Sequence, residues 1–210
     1  MRRRRASALQ ARPHRHTLAM ISRTVAPLVL GWFLAGCVSL TPNQEQKLAE
    51  IQTFADRTTA IYRLPSVRIS VQSATNLNIG AVYRQGNIYV NVRMLDSPNL
   101  TKTMAHELGH YVLGHDSIIP QAVSMSEYQR AQEQRELDAN AKAVEILMRA
   151  QGLSESDAVR IVADGLRRSR DAQERNGLPL TPGHLPASAE LADLLARFPG
   201  SGTPSVTGGR

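Results

Sequence analysis

His106 and His110 lie four residues apart, with Glu107 directly after the first. On a helix, side chains at i and i+4 share one face, one turn apart, so the two imidazoles can converge on a single ion. Neutral imidazole binds zinc at about 2.0–2.1 Å. Glu107 is angled away from the pair. It can reach a water beside such an ion without being captured as a ligand, take its proton and later pass it to a leaving amine. Gly109 leaves room for close packing behind the site. The same five residues also occur by chance on exposed helical faces, so the surroundings decide their weight. Here Leu100, Met104 and Leu108 give the helix an apolar side to hold against a core.

A catalytic zinc usually takes three protein ligands and keeps one position open. Three candidates for the third ligand follow the motif. Glu136 lies 26 residues after His110, and His115 and Asp116 lie just past the motif helix. His115 is five from His110 and points off the ligand face, as a helix C-terminal or surface histidine would. Asp116 sits where metzincins place a third ligand, but their enabling glycine falls on Leu113, with Gly114 one position away. Glu133, three before Glu136, reads as a solvated residue. Tyr128, Arg135 and His184 are candidate donors to a developing oxyanion.

The elements that must position these residues are legible in outline. Thr41-Pro42-Asn43-Gln44 predicts a helix start with a capping box, followed by Leu48, Ile51, Ala55 and Tyr62 at helical spacing. Val67, Ile69 and Val71 alternate with polar residues as a strand. Residues 81–84 and 88–92 predict a hairpin around Gln85-Gly86-Asn87. Helices are expected over about 98–113, 126–150, 154–169 and 189–198, with Gly114 and Gly152 as stops and Ser154 with Asp157 as a cap. Asn87, Tyr89 and Asn91 could hold an extended peptide if their strand is a sheet edge, or simply face water. Residues 199–210, rich in Gly, Ser, Thr and Pro, are expected to be disordered. Helix, small sheet, then helices is an α+β order.

The formal charge of +7 suggests a nucleic-acid partner until it is located. Seven of the 25 Lys and Arg lie in residues 1–36, which hold no acid, so the remaining 18 balance the 18 Asp and Glu. The excess belongs to targeting, and no nucleic-acid partner is expected. Residues 24–36 are an apolar run too short to span a bilayer, as in a signal peptide. The run ends in Leu34-Ala35-Gly36-Cys37, which resembles a bacterial lipobox around the chain's single cysteine. That resemblance implies a signal peptide over 1–36 (with Met20 as a possible true start), a lipidated Cys37 and a tether over 37–41. The lipid would anchor the protein without spanning the membrane. Val38 rather than Asp after the cysteine is similar to outer-membrane sorting, facing the periplasm.

The run Arg135-Glu136-Leu137-Asp138-Ala139-Asn140 resembles the Glu-x-x-Ala-Asp motif of gluzincin peptidases. The resemblance implies Glu136 as third ligand, in preference to Asp116, and Asn140 as the group behind a ligand histidine. Asn can accept an imidazole N–H through its amide oxygen, but being uncharged it raises ligand basicity less than an acid. Residues 105–115, with Glu136, Ala139, Ala143 and Leu147, are similar to the HtpX-like and CAAX-prenyl-protease-like zinc peptidases. Residues 87–92 match the sheet edge that those proteins use for substrate. Thr181-Pro182-Gly183-His184-Leu185-Pro186, followed by Glu190 and Leu194, is similar to a late Thr-His-Pro segment. The ImmA/IrrE-type peptidases, typically cytoplasmic regulators, are a second relative. They too have a His-Glu-Leu-Gly-His helix, and a Glu-x-x-Ala-Asn helix in which Asn140 is the normal residue.

Both resemblances imply a zincin-like α+β domain over 42–198. In it a small, mostly antiparallel sheet packs on an active-site helix and a following ligand-bearing helix. They imply one zinc ion held by His106, His110 and Glu136, with Glu107 as base. The expected activity is hydrolysis of polypeptide at the bacterial envelope. A non-catalytic, zinc-stabilised chaperone-like or binding lipoprotein is the alternative, and cleavage confined to the chain's own tail a third. Cleavage preference and oligomeric state are not encoded in any feature of the sequence.

Overall fold

A computed structural model describes residues 38–77, 79–115, 124–177 and 184–201. The expected leader over 1–36, the lipidated Cys37, Asp116, residues 181–183 and the tail beyond 201 lie outside the described residues.

Helix α1 spans Pro42–Tyr62. The Thr41 hydroxyl accepts the Gln44 N–H at 3.3 Å, and the Gln44 side-chain oxygen accepts the Thr41 N–H at 3.1 Å. These two bonds satisfy donors that every helix start leaves open. Strands β1 (Arg68–Gln72), β2 (Ala81–Arg84) and β3 (Asn87–Asn91) follow. Gln85 and Gly86 both have positive φ, 46° and 77°. A turn of that hand matches the twist of the strands it joins.

The sheet order is β1-β3-β2, with β1 parallel and β2 antiparallel to β3. The sheet is therefore mixed rather than mostly antiparallel, because the chain crosses over between β1 and β2 before the hairpin returns beside β1. One expectation is corrected by this order. The strand carrying Asn87, Tyr89 and Asn91 is central, with both sides paired, so it cannot receive a further strand. The edge strands are β1 and β2, and of these β2 borders the cleft described below. Rows such as Ile69–Ile88–Tyr83 and Val71–Val90–Ala81 run across the sheet, and Ile88 and Val90 are fully buried.

A 3-10 turn over Val92–Asp96 leads to α2, Leu100–Val112, which starts two residues later than the Ser97-Pro98 signal predicts. Asn99 precedes it without a side-chain cap, since its Oδ1 accepts from Arg168 Nε at 2.5 Å instead. Gly114 (φ 67°) ends α2 as expected: its N–H donates to the Tyr111 carbonyl, and the His115 N–H to the His110 carbonyl. Helix α3 spans Met125–Gln151, stopped by Gly152 at φ 71°. The Ser154 cap accepts the Asp157 N–H and opens α4, Glu155–Asn176. This helix runs seven residues beyond the expected end. The apolar periodicity fades there, but nothing breaks the backbone until Gly177, at φ 58°. Helix α5 is Ala187–Arg197. Among the described residues no helix is long and apolar enough to cross a membrane.

The core joins the inner face of the sheet to Met104 and Leu108 of α2, Val144 and Leu147 of α3, and Val159 and Leu166 of α4. The tightest approach is between α2 and α3. A Cβ on Gly109 would stand 2.7 Å from the Ala139 carbonyl oxygen and 3.3 Å from its Cα. Ala is favoured over Gly inside a helix by about 1 kcal/mol, yet here it would force two backbones apart. We expect Gly109→Ala to destabilise by about 1–3 kcal/mol net, read as a melting temperature several degrees lower. An unchanged or higher value would show that the helices are not in backbone contact.

Candidate metal centre

Asn99, which precedes α2, and Lys102, Thr103, His106 and His110 on one side of that helix line one cleft of about 440 Å³. Gln132, Arg135 and Glu136 of α3 face them, β2 with residues 79–80 forms one wall, and Ser169, His184 and Glu190 close another side. The apolar face of α2 points the other way, so the helix both seals the core and presents the site.

His106 Nε2 lies 3.1 Å from Glu136 Oε2 and 3.1 Å from His110 Nε2, and His110 Nε2 is 3.5 Å from the same carboxylate oxygen. Among the described residues these three form a group able to hold a metal ion. Four ligands around an ion at 2.0–2.1 Å sit about 3.3–3.4 Å apart along the edges of a tetrahedron. The three separations bracket that length. The donor set also fits zinc: two imidazoles and one carboxylate, held on rigid helices.

Each ring has a partner on its far side. His106 Nδ1 is 2.9 Å from Asn140 Oδ1, an atom that can only accept, so the proton sits on Nδ1 and the lone pair of Nε2 faces the cluster. His110 Nδ1 is 2.9 Å from His115 Nδ1. Burial pushes His115 down to about 4, with the His110 ring as the next cause. A neutral His115 can accept, which lets His110 donate from Nδ1 and turn its own Nε2 lone pair inward. His115 is thus a support for His110 rather than a surface residue. Its place follows from the Gly114 turn and from Arg135 Nη1, which donates to the His115 carbonyl at 3.0 Å.

Glu107 is buried at 8% exposure beside the cluster. Its Oε2 accepts the Tyr83 N–H of β2 at 2.7 Å. That bond fixes the carboxylate and shows that this edge of β2 faces the site. Burial raises Glu136, and the two imidazoles beside it lower it well below the usual range whenever they carry a proton on Nε2; with both Nε2 lone pairs turned inward, those bonds give way to acceptors suited to a cation. Burial lowers His106, and the Lys102 ammonium one turn away lowers it further, which favours the neutral, ligating ring.

Of the candidate oxyanion donors, Arg135 and His184 line the cleft, and His184 Nδ1 is 3.3 Å from Glu136 Oε2. Tyr128 is exposed and bonds Gln132 instead. Glu133 accepts from Gln129. Two charged cleft residues, Lys102 and Glu190, carry no role at the site in the sequence expectations. Lys102 carries a charge that burial lowers and that Glu190, Glu107 and Glu136 sustain. Glu190 is buried and accepts from Asn140 Nδ2 at 3.1 Å. Its signal was present: it interrupts the apolar stripe of Ala187, Leu191 and Leu194 on α5.

An α+β domain that sets a His-Glu-x-x-His helix against a second helix bearing a carboxylate is a zincin-like peptidase domain. Residues 64–168, half of the 210-residue chain, match the IrrE N-terminal-like domain, a peptidase family, and the chain belongs to that family. No curated protein and no solved structure matches the chain. Of the two resemblances carried by the motifs, the match is to the second, ImmA/IrrE-type relative. Asn140 behind the ligand histidine is then ordinary rather than a departure.

The third metal position separates Glu136 from Asp116. We expect Glu136→Ala to lose bound metal, measured by elemental analysis of the purified protein, and Asp116→Ala to keep it. The opposite pattern would overturn the assignment of Glu136.

Proposed function

We propose that the chain is a zinc-dependent metalloendopeptidase that hydrolyses peptide bonds of unfolded or envelope proteins while tethered to a bacterial membrane by lipid on Cys37. The observation that carries the enzymatic part is the convergence of two inward-facing imidazole lone pairs and the Glu136 carboxylate. Glu107 stands beside them, anchored by one oxygen only. His106, His110 and Glu136 would hold the ion. Zinc, when bound, supplies Lewis acidity that polarises a scissile carbonyl and lowers the pKa of water toward neutrality.

The remaining steps belong to the chain's own groups. Glu107 accepts the proton of the attacking water and delivers it to the leaving nitrogen. The Tyr83 N–H keeps that carboxylate in place while it does so. Arg135 and His184 are the cleft residues able to donate to the developing oxyanion. An extended substrate would lie against β2, whose Ala81 and Tyr83 share the side turned away from β3. Chain segments that are already unfolded present their backbone in that form.

The envelope setting rests on the basic leader, the short apolar run and the Leu34-Ala35-Gly36-Cys37 sequence. Val38 in the next position favours the outer membrane, facing the periplasm. A non-catalytic, zinc-stabilised protein would need His106, His110 and Glu136 but not Glu107, and Glu107 is both present and in the cleft.

The purified chain should hold one zinc and cleave an unfolded protein substrate. Glu107→Gln should retain the zinc and lose about 10²–10⁴-fold of the rate, and chelation should abolish cleavage until zinc is returned. Equal cleavage by the variant would sink the mechanism. Zinc without cleavage by the wild type would favour the non-catalytic alternative. In a separate test, labelled fatty acid should be incorporated in bacteria and lost in Cys37→Ala; incorporation by the variant would exclude Cys37 as the anchor.

A further inference from the structure

Behind His106 two residues stand in series. His106 Nδ1 meets Asn140 Oδ1 at 2.9 Å, and Asn140 Nδ2 donates to Glu190 Oε2 at 3.1 Å. Asn140 is 1% exposed and Glu190 6%. An Asn amide has nearly the same shape either way round but opposite polarity at its two ends. Turned over, it would offer NH₂ to His106, which would then accept at Nδ1 and carry its proton on Nε2, the atom facing the cluster. The shape of the pocket cannot prevent this. The partner can: a carboxylate only accepts, so it holds Nδ2 toward itself and leaves Oδ1 for the ring.

We propose that Glu190 is a positioning residue of the metal centre, its carboxylate acting through Asn140 to fix His106 as the Nδ1–H tautomer with the Nε2 lone pair on the metal position. The proposal rests on His106 being a ligand. It extends the site onto α5, beyond the residues matched to the family. Asn140 itself carries no charge, and the nearest acid behind His106 is Glu190, one residue further back. The negative charge is relayed rather than absent. His184, 3.8 Å from Glu190 Oε1, ties the other carboxylate oxygen to the rim of the cleft.

The test is the zinc dissociation constant of the full chain, by chelator competition, for wild type, Glu190→Gln, Asn140→Asp and the double variant. Ring ¹⁵N shifts of the zinc-free protein give the His106 tautomer. Glu190→Gln should weaken zinc about 10-fold or more and mix the tautomers, since an amide can present either end to Asn140. Asn140→Asp alone sets two carboxylates together and should weaken zinc as well. Together the two substitutions should restore affinity close to wild type, because the introduced amide donates to the introduced carboxylate, which accepts the His106 N–H. A merely structural role lowers the melting temperature of the single variants but leaves a single His106 tautomer and the zinc affinity unmoved. Additive losses, or single variants that bind zinc as wild type does, overturn the relay while leaving the metal site intact. A wild type that holds no zinc overturns the metal site itself and the relay with it. If Asn140→Asp does not fold, an unchanged affinity and a single tautomer in Glu190→Gln suffice to reject the proposal.

Discussion

Helices α2 and α3 meet at the level of their backbones, where Gly109 lies against the carbonyl of Ala139. The ligand distances follow from that contact. Glu136 is one turn before Ala139 and Asn140 one residue after it, so both lie on the stripe of α3 that faces α2. Their reach is short, and a hydrogen bond tolerates only a few tenths of an ångström. Had residue 109 a side chain, Glu136 would withdraw from both histidines and Asn140 from His106 in one movement. The small residues Ala139 and Ala143, both fully buried, keep the same stripe close further along. At the other end the Gly114 turn brings His115 back under His110. Backbone geometry at two glycines thus places three side chains.

Burying three carboxylates in one cleft is costly unless each finds donors. Glu107 has the Tyr83 N–H, and Glu190 has Asn140 and His184. Glu136 has His184 Nδ1 at 3.3 Å, but its other neighbours are the two rings. With His106 and His110 both protonated on Nδ1, the two ring nitrogens facing it are lone pairs. Three acceptors then point at one volume, which is unfavourable for the chain alone and favourable around a cation. Lys102 opposes the acids from one turn away and keeps His106 neutral at the same time. The supports behind the rings, an amide and a neutral imidazole, add no net charge against the metal position, so the three acids face the charges of Lys102 and Arg135.

Much of this was legible because it is local. The capping box at Thr41, the Ser154 cap, stops at Gly114 and Gly152, and the Gln85-Gly86 turn each depend on a few adjacent residues, and each element stands where those residues place it. The convergence of His106, His110 and Glu136 was legible because helical spacing is rigid and Glu136 carries a motif of its own. What failed was pairing across distance. The alternation over 87–91 is the same for a central strand as for an edge, and only the crossover before β2 made β3 central. Helix α4 outran its apolar pattern because helix continuation needs the absence of breakers, not amphipathicity. Lys102 carries no linear signal, since nothing local shows that Ser169 of α4 and Glu190 of α5 share its cleft. His115 looked peripheral because its role arises from a turn that reverses the chain by one residue.

Glu190 shows how such a long-range contact can still constrain the fold. A carboxylate within the apolar stripe of α5 disfavours any docking that buries it without partners. Leu191 and Leu194 alone would tolerate a shift along α3 and α4, because apolar contacts are non-directional. Glu190 does not tolerate it, since only one register brings its oxygens to Asn140 and His184. Arg197, paired with Asp138 at 2.9 Å, ties the far end of α5 in the same register. The residue that orients the amide behind His106 therefore also specifies where the last helix sits. The metal centre and the C-terminal packing are two consequences of one buried charge.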